Sequence, residues 1–203
     1  MKTDTQSTRQ HILDVGYKLI VAQGFTCMGL AQLLKAADVP KGSFYHYFKS
    51  KEQFGEALIT GYFEQYKANL DRLFGNESLT GYQRLMSYWH LWLNMQGVNL
   101  QADGCLDQKC LVVKLSAEVA DLSEAMRIAL LNGSSDIISR LSSCIDIGIQ
   151  DGSVSPQDPQ SSAELLYHMW LGASLMNKLG HSNLALNRAL KTTETVLAFK
   201  AVP

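Results

Sequence analysis

The residues of this chain best suited to chemistry are two cysteines five positions apart, Cys105 and Cys110, in DGCLDQKCLVVKLSAE, residues 103–118. Three roles are open to such a pair: metal ligands, a disulfide, or a reactive thiolate. A structural zinc site needs four donors, usually as two close pairs. Here there is one pair, and His90, His168 and His181 are scattered, so no metal site is expected. A disulfide within one helix would have to span about 7.5 Å along the axis, too far without local unfolding. A thiolate is favoured at Cys110, which falls at or near a helix start beside Lys109 and four residues before Lys114, although Asp107 opposes it. The commoner fate of a cysteine is a buried, inert thiol, which suits Cys27 and Cys144. For Cys110 both roles stay open on these grounds.

The elements that position these residues are helical throughout. Apolar residues recur with the 3.6-residue period, and no alternating strand pattern occurs. Ser7-x-x-Gln10 is a capping-box start for a first helix ending at Gly24. Short second and third helices are expected over 30–37 and from Lys41 or Gly42 to Phe48, separated by Pro40. Ser50-x-x-Gln53 and Thr80-x-x-Gln83 open a fourth and fifth, residues 105–116 form a sixth, and Asp121-x-x-Glu124 caps a seventh that Asn132-Gly133 interrupts. After the loop DGSVSPQDPQ, Asp158-Pro159 begins a helix to Leu179, and Asn183 begins the last, ending near Lys200. The expectation is an all-α protein of about nine helices: a helix-turn-helix domain over residues 1–52 and a helical body over 53–203.

The 203 residues are 46% hydrophobic and 18% charged, which excludes wholesale disorder and leaves enough chain for a proper core. The longest apolar run, Leu165 to Leu179, is broken by His168, Asn177 and Lys178, and MKTDTQSTRQ lacks the apolar core of an export signal. A cytoplasmic protein with free thiols is the expectation. The net charge of −1 divides unevenly: through Glu52 there are seven Lys or Arg against four acids, 7 − 4 = +3, leaving −4 for the remainder. A basic end on an acidic body suits a polyanion.

The third helix, KGSFYHYF at 41–48, sharpens that expectation. Lys41, Gly42, Ser43, Tyr45 and His46 crowd into two turns, while Phe44, Tyr47 and Phe48 lie at i, i+3 and i+4 and can anchor the other face in a core. A helix entering the major groove needs small residues for close approach and donors for base edges and phosphates. Lys41 suits guanine acceptors, Ser43 donates or accepts, and the Tyr45 ring suits a thymine methyl. His46, Lys51 and the Thr26 hydroxyl suit phosphates. Gly24-Phe25, DVPKGSFYHYF at 38–48 and Ser50-Lys51-Glu52 together resemble the DNA-binding domain of TetR-type repressors over about residues 8 to 55. The resemblance implies a three-helix DNA-binding head, a connecting fourth helix and a helical body that senses an effector and dimerises. In that family Thr-Ser often opens the second helix; here Met28-Gly29 stands there.

In the body, Leu165, Leu166, Met169, Trp170, Ala173 and Met176, then Leu184, Leu186, Leu190, Val196 and Leu197, form apolar stripes that are partly core. The resemblance implies a four-helix homodimer interface, placed at Leu166, Trp170, Ala173, Leu190 and Leu197. Pairing would let two recognition helices read a palindrome in successive major grooves. Tyr62, Phe63, Tyr66, Tyr88, Trp89, Trp92 and Met95 are core candidates and, as an alternative, the lining of an apolar effector pocket.

CLVVKLSAEV at 110–119, DLSE at 121–124, WLGA at 170–173 and Lys178 resemble one branch of the family, the N-ethylmaleimide reductase repressors. That branch detects electrophiles and oxidants through a cysteine, with which a lysine of the eighth helix cooperates. The match makes Cys110 the sensor and Lys178 its partner, with Cys105 a competitor because Asp107-Gln108-Lys109 separates two Cys-Leu starts. The leading expectation is a dimeric repressor released from a duplex operator by modification of Cys110, with no cofactor. Release by a reversible apolar ligand is the second reading. A thiol-dependent enzyme is a third, for which the chain offers no nucleophile–base–orienter set, phosphate loop or HExxH motif.

Overall fold

The computed structural model describes the backbone of residues 2–94 and 108–198, and side chains over 7–94 and 111–198. Among these residues there are nine helices and no strand: α1 (Lys2–Gln23), α2 (Leu30–Ala36), α3 (Lys41–Tyr47), α4 (Lys51–Phe74), α5 (Gly81–Asn94), α6 (Gln108–Val119), α7 (Glu124–Gln150), α8 (Pro159–Gly180) and α9 (Leu184–Leu197).

Three helix starts follow the capping chemistry expected of them. The Thr80 hydroxyl accepts the Gln83 amide at 3.3 Å while the Gln83 side chain accepts the Thr80 amide at 3.0 Å, a reciprocal box. Asp158 accepts the Ser161 amide at 2.6 Å, with Pro159 as first helical residue. Ser50 accepts the Gln53 amide at 3.1 Å, but Gln53 returns to the amide of Lys49, at 2.6 Å, rather than to that of Ser50.

Three expectations are corrected. Ser7 is an exposed residue inside α1, not its cap; no glycine or proline lies between Lys2 and Ser7 to stop the helix. The cap of α7 is Ser123, whose hydroxyl accepts the Met126 amide at 3.4 Å, because Asp121 sits in the preceding turn. And α7 runs unbroken through Asn132-Gly133. Gly133 is there for space: a Cβ would stand 2.1 Å from the Phe63 ring, which lies against the α7 backbone.

The chain forms two compact units, Met1–Glu64 with Cys110–Gly133, and Gln65–Lys109 with Ser134–Pro203. The first takes in α1 to α3, the start of α4, most of α6 and the start of α7. Its core holds Ile12, Ile20, Phe25, Met28, Leu33, Phe44, Phe48 and Phe54, and Gly16 lets α1 pass against the Phe54 ring. The second is built on aromatic rings. Trp89 stacks on Trp170 with centroids 5.0 Å apart, and Trp92 and Tyr167 close around them. Their polar atoms are mostly satisfied inside: the Trp92 indole donates to Ser174 and the Trp170 indole to Thr193, both at 2.9 Å, and the Tyr66 and Tyr88 hydroxyls meet at 2.7 Å.

Candidate functional site

The two faces of α3 differ sharply in chemistry. Phe44 and Phe48 are buried, their rings 5.3 Å apart and packed on Phe54, and Tyr47 is half-buried. Those anchors leave Lys41, Gly42, Tyr45 and His46 exposed, with Ser43 half-buried. The Lys41 ammonium lies 5.8 Å from the Tyr45 ring centroid, a cation–π distance that gathers both side chains at one end of the exposed face. A Cβ at Gly42 would meet nothing within 4 Å, so no demand of the fold explains the glycine.

Around α3, the segment between α1 and α2 is held from several sides. Gly24 adopts φ +91°, and α2 starts at Gly29 without a side-chain cap. Thr26 is exposed. Lys51, in the first turn of α4, donates to the Thr26 carbonyl at 3.4 Å and lies 4.7 Å from the Phe25 ring centroid. Its ammonium therefore sits beside the residue expected to share phosphate contacts with it.

The cysteines occupy contrasting environments. Cys144 is buried, its thiol reaching the Gly81 carbonyl at 3.7 Å, and burial pushes its pKa up to about 12. It is the inert thiol expected. Cys27 is not: it is exposed, because Phe25 and Met28 on either side take the inward positions. Cys105, Asp107 and Met95 lie outside the described residues. The backbone of Cys110 is helical, in the first turn of α6, and its side chain and that of Lys109 lie outside the described set. Lys114, expected to support a thiolate at Cys110, donates to the Val21 carbonyl of α1. One turn on, the Glu118 carboxylate accepts the Thr26 amide at 3.0 Å. Sequence reasoning missed this contact. Its trace is a Lys and a Glu four apart on a helix whose Leu111, Val112, Leu115 and Val119 are buried.

Residues 12–58 match the model of bacterial regulatory proteins of the tetR family, and residues 81–193 match the tetracyclin repressor-like C-terminal domain. The chain belongs to the TetR family. It is 39% identical over 202 residues, 99% of both chains, to the HTH-type transcriptional repressor NemR of Escherichia coli. It is 33% identical to the transcriptional regulator AcuR of Cereibacter sphaeroides, over 87% of this chain and 78% of that one. A crystal structure of Escherichia coli NemR in its reduced form superposes with a TM-score of 0.87 at 40% identity, covering 97% of this chain and all (100%) of the other.

In this TetR-family body, the residues that the resemblance assigns to pairing differ in exposure. Leu166, Trp170 and Leu197 are fully buried by their own chain, Trp170 within the tryptophan stack, which leaves them no surface to offer a partner. Ala173 and Leu190 are half-buried. The apolar side chains that α8 and the start of α9 do expose are Leu165, Leu175, Met176, Leu179 and Leu184. Lys178 is also exposed, in the last turn of α8. Gly172 borders this face with open space where a Cβ would stand. Among the described residues, no helix is long and apolar enough to cross a membrane, and no three His, Cys, Asp or Glu side chains are grouped to hold a metal ion.

Proposed function

We propose that this TetR-family regulator is a repressor that binds a palindromic operator as a dimer and lets go when an electrophile or oxidant modifies Cys110. The observation carrying the DNA-binding half is the division of α3: two buried phenylalanines fix the helix while Lys41, Gly42, Ser43, Tyr45 and His46 form a small, polar outer face. Lys41 and Tyr45 read base edges; His46, Lys51 and Thr26 hold phosphates. Two copies pair through the exposed leucines and Met176 of α8 and the start of α9, with Ala173 and Leu190 at the margin. This spaces two recognition helices by a helical turn of duplex.

The release half rests on the likeness to NemR, a repressor whose solved form is described as reduced, and on Cys110 opening a helix that grips the head. With a quinone, the thiolate sulfur adds to a ring carbon, the alkene electron pair moves to the carbonyl oxygen, which takes a proton from water, and the proton on the attacked carbon shifts to the second carbonyl oxygen to give the hydroquinone thioether. With hypochlorous acid, the thiolate gives up two electrons, takes the hydroxyl and releases chloride to become the sulfenic acid; condensation with the Cys105 thiol or the Lys178 amine would then form an S–S or S–N bond and release water. Reversible capture of an apolar ligand is less well supported, since Tyr66, Tyr88, Trp89 and Trp92 pack on one another and on Trp170.

The test is a titration against duplex upstream of the chain's own gene, with and without p-benzoquinone, followed by intact mass. Tight, salt-sensitive binding lost together with one adduct, and retained in Cys110→Ser, is the expected result. Release that persists in Cys110→Ser sinks covalent sensing at that residue; absence of specific duplex binding sinks the repressor.

A further inference from the structure

Two charged side chains one turn apart on α6 reach backbone groups at the junction of α1 and α2. Lys114 donates to the Val21 carbonyl, and Glu118 accepts the Thr26 amide at 3.0 Å. Both partners are groups that local structure leaves over. Val21 lies in the last turn of α1, where carbonyls have no amide of their own helix to accept; the Gly24 amide already serves Ile20, at 2.8 Å. Thr26 belongs to no helix, so its amide has no ladder partner. The cation thus sits at the negative end of α1 and the anion on a spare N–H, each the favourable sign.

Gly24 leaves room for the Glu118 carboxylate. Besides its left-handed φ of +91°, a Cβ there would stand 2.5 Å from one Glu118 carboxylate oxygen. One glycine serves both the turn and the seat of a carboxylate 94 residues on in sequence.

The gripped junction is the entrance to the helix-turn-helix, and Cys110 precedes Lys114 by one turn of the same helix. We infer that Lys114 and Glu118 are positioning residues, a two-point clamp through which α6 sets the α1–α2 junction by direct contact, beside the hold that Lys51 of α4 has on Thr26. The inference takes its signal from the proposed sensor at Cys110, but the clamp is a property of the unmodified protein. It also has a polarity that an ordinary surface pair lacks. A Lys–Glu pair at i, i+4 that bonded only to itself would survive exchange of its members with little loss. A clamp on one carbonyl and one amide cannot, since an ammonium accepts nothing and a carboxylate donates nothing.

The experiment uses the full chain, an operator duplex selected by the wild-type protein from a random pool, p-benzoquinone as modifier, and residue-resolved amide hydrogen exchange. Glu118→Ala is expected to speed exchange at Thr26 by about tenfold while leaving Ile20 unchanged, with Glu118→Gln, which keeps a carbonyl acceptor, in between. Glu118→Ala and Lys114→Met should each weaken operator binding by about threefold to tenfold and shrink the quinone-induced loss of affinity by a similar factor. The exchanged double variant Lys114→Glu/Glu118→Lys should be no better than either single one. Wild-type behaviour of the double variant, or unchanged Thr26 exchange in Glu118→Ala, overturns the clamp. A wild-type protein whose operator binding ignores quinone overturns the sensor instead, and the clamp then stands or falls on exchange, basal affinity and the charge swap.

Discussion

Helix α3 and the α8–α9 pair solve the same packing problem and then diverge. Each buries aromatic rings on one side: Phe44 in α3 with Phe48 just past its end, Tyr167 and Trp170 in α8. Each leaves a second face open. On α3 that face is Lys41, Gly42, Tyr45 and His46; on α8 it is Leu165, Leu175, Met176 and Leu179. The inner faces explain why both helices exist, and only the outer faces say what each is for. A small polar face with a cation suits a hydrated polyanion, whereas a run of exposed leucines suits another apolar surface.

Breaking an inner face should cost the most. Phe44→Ala is expected to destabilise the first unit by about 3–5 kcal/mol and abolish operator binding, measured by urea unfolding beside a binding titration. Next come the outer faces, where folding and assembly should separate. Leu175→Glu with Leu179→Glu should leave helix content by circular dichroism unchanged and convert a dimer to monomer in sedimentation; a dimer that persists places pairing elsewhere. Lys41→Ala should lower operator affinity by about tenfold to a hundredfold with an unchanged urea midpoint, if Lys41 meets a base edge. Should the loss instead be equal on all sequences, with a salt slope smaller by about 1, Lys41 is a phosphate contact.

The smallest effect is expected on neither face. Arg140 holds Asp71 by two hydrogen bonds, the shorter 2.7 Å, and that bond keeps the carboxyl below its usual pKa. A carboxyl with a depressed folded pKa adds stability above its unfolded value and loses it as pH falls through the folded one. Arg140→Met should therefore cost under about 1 kcal/mol at neutral pH, the pair being well exposed, and nothing in strong acid.

Much of this was legible because it is local. Thr80 with Gln83 and Asp158 with Pro159 carry their helix starts in three or four residues, and Phe44 and Phe48 announce the inner face of α3 by their spacing. Misreadings arose where a local signal had a competitor. Asp121 and Ser123 are both plausible caps, and the turn geometry chose the second. Helix α8 is apolar on more than one side, so its period alone did not separate buried Leu166 and Trp170 from exposed Leu165 and Leu179. Cys27 looked like an ordinary core thiol until its neighbours took the inward positions. The contact of Glu118 with Thr26 had no local signature, since a charged pair on a helix ordinarily faces water.

Gly42 carries a consequence of another kind. It sits in the first turn of α3 with empty space where a side chain would begin, so nothing in the free protein resists its replacement. Helix propensity even rewards it: alanine is worth up to about 1 kcal/mol over glycine inside a helix. The chain thus gives up some rigidity at the very point where a duplex would press closest. If α3 meets the operator as proposed, position 42 becomes a dial for rewiring, where a changed side chain would alter operator preference while the scaffold stays indifferent.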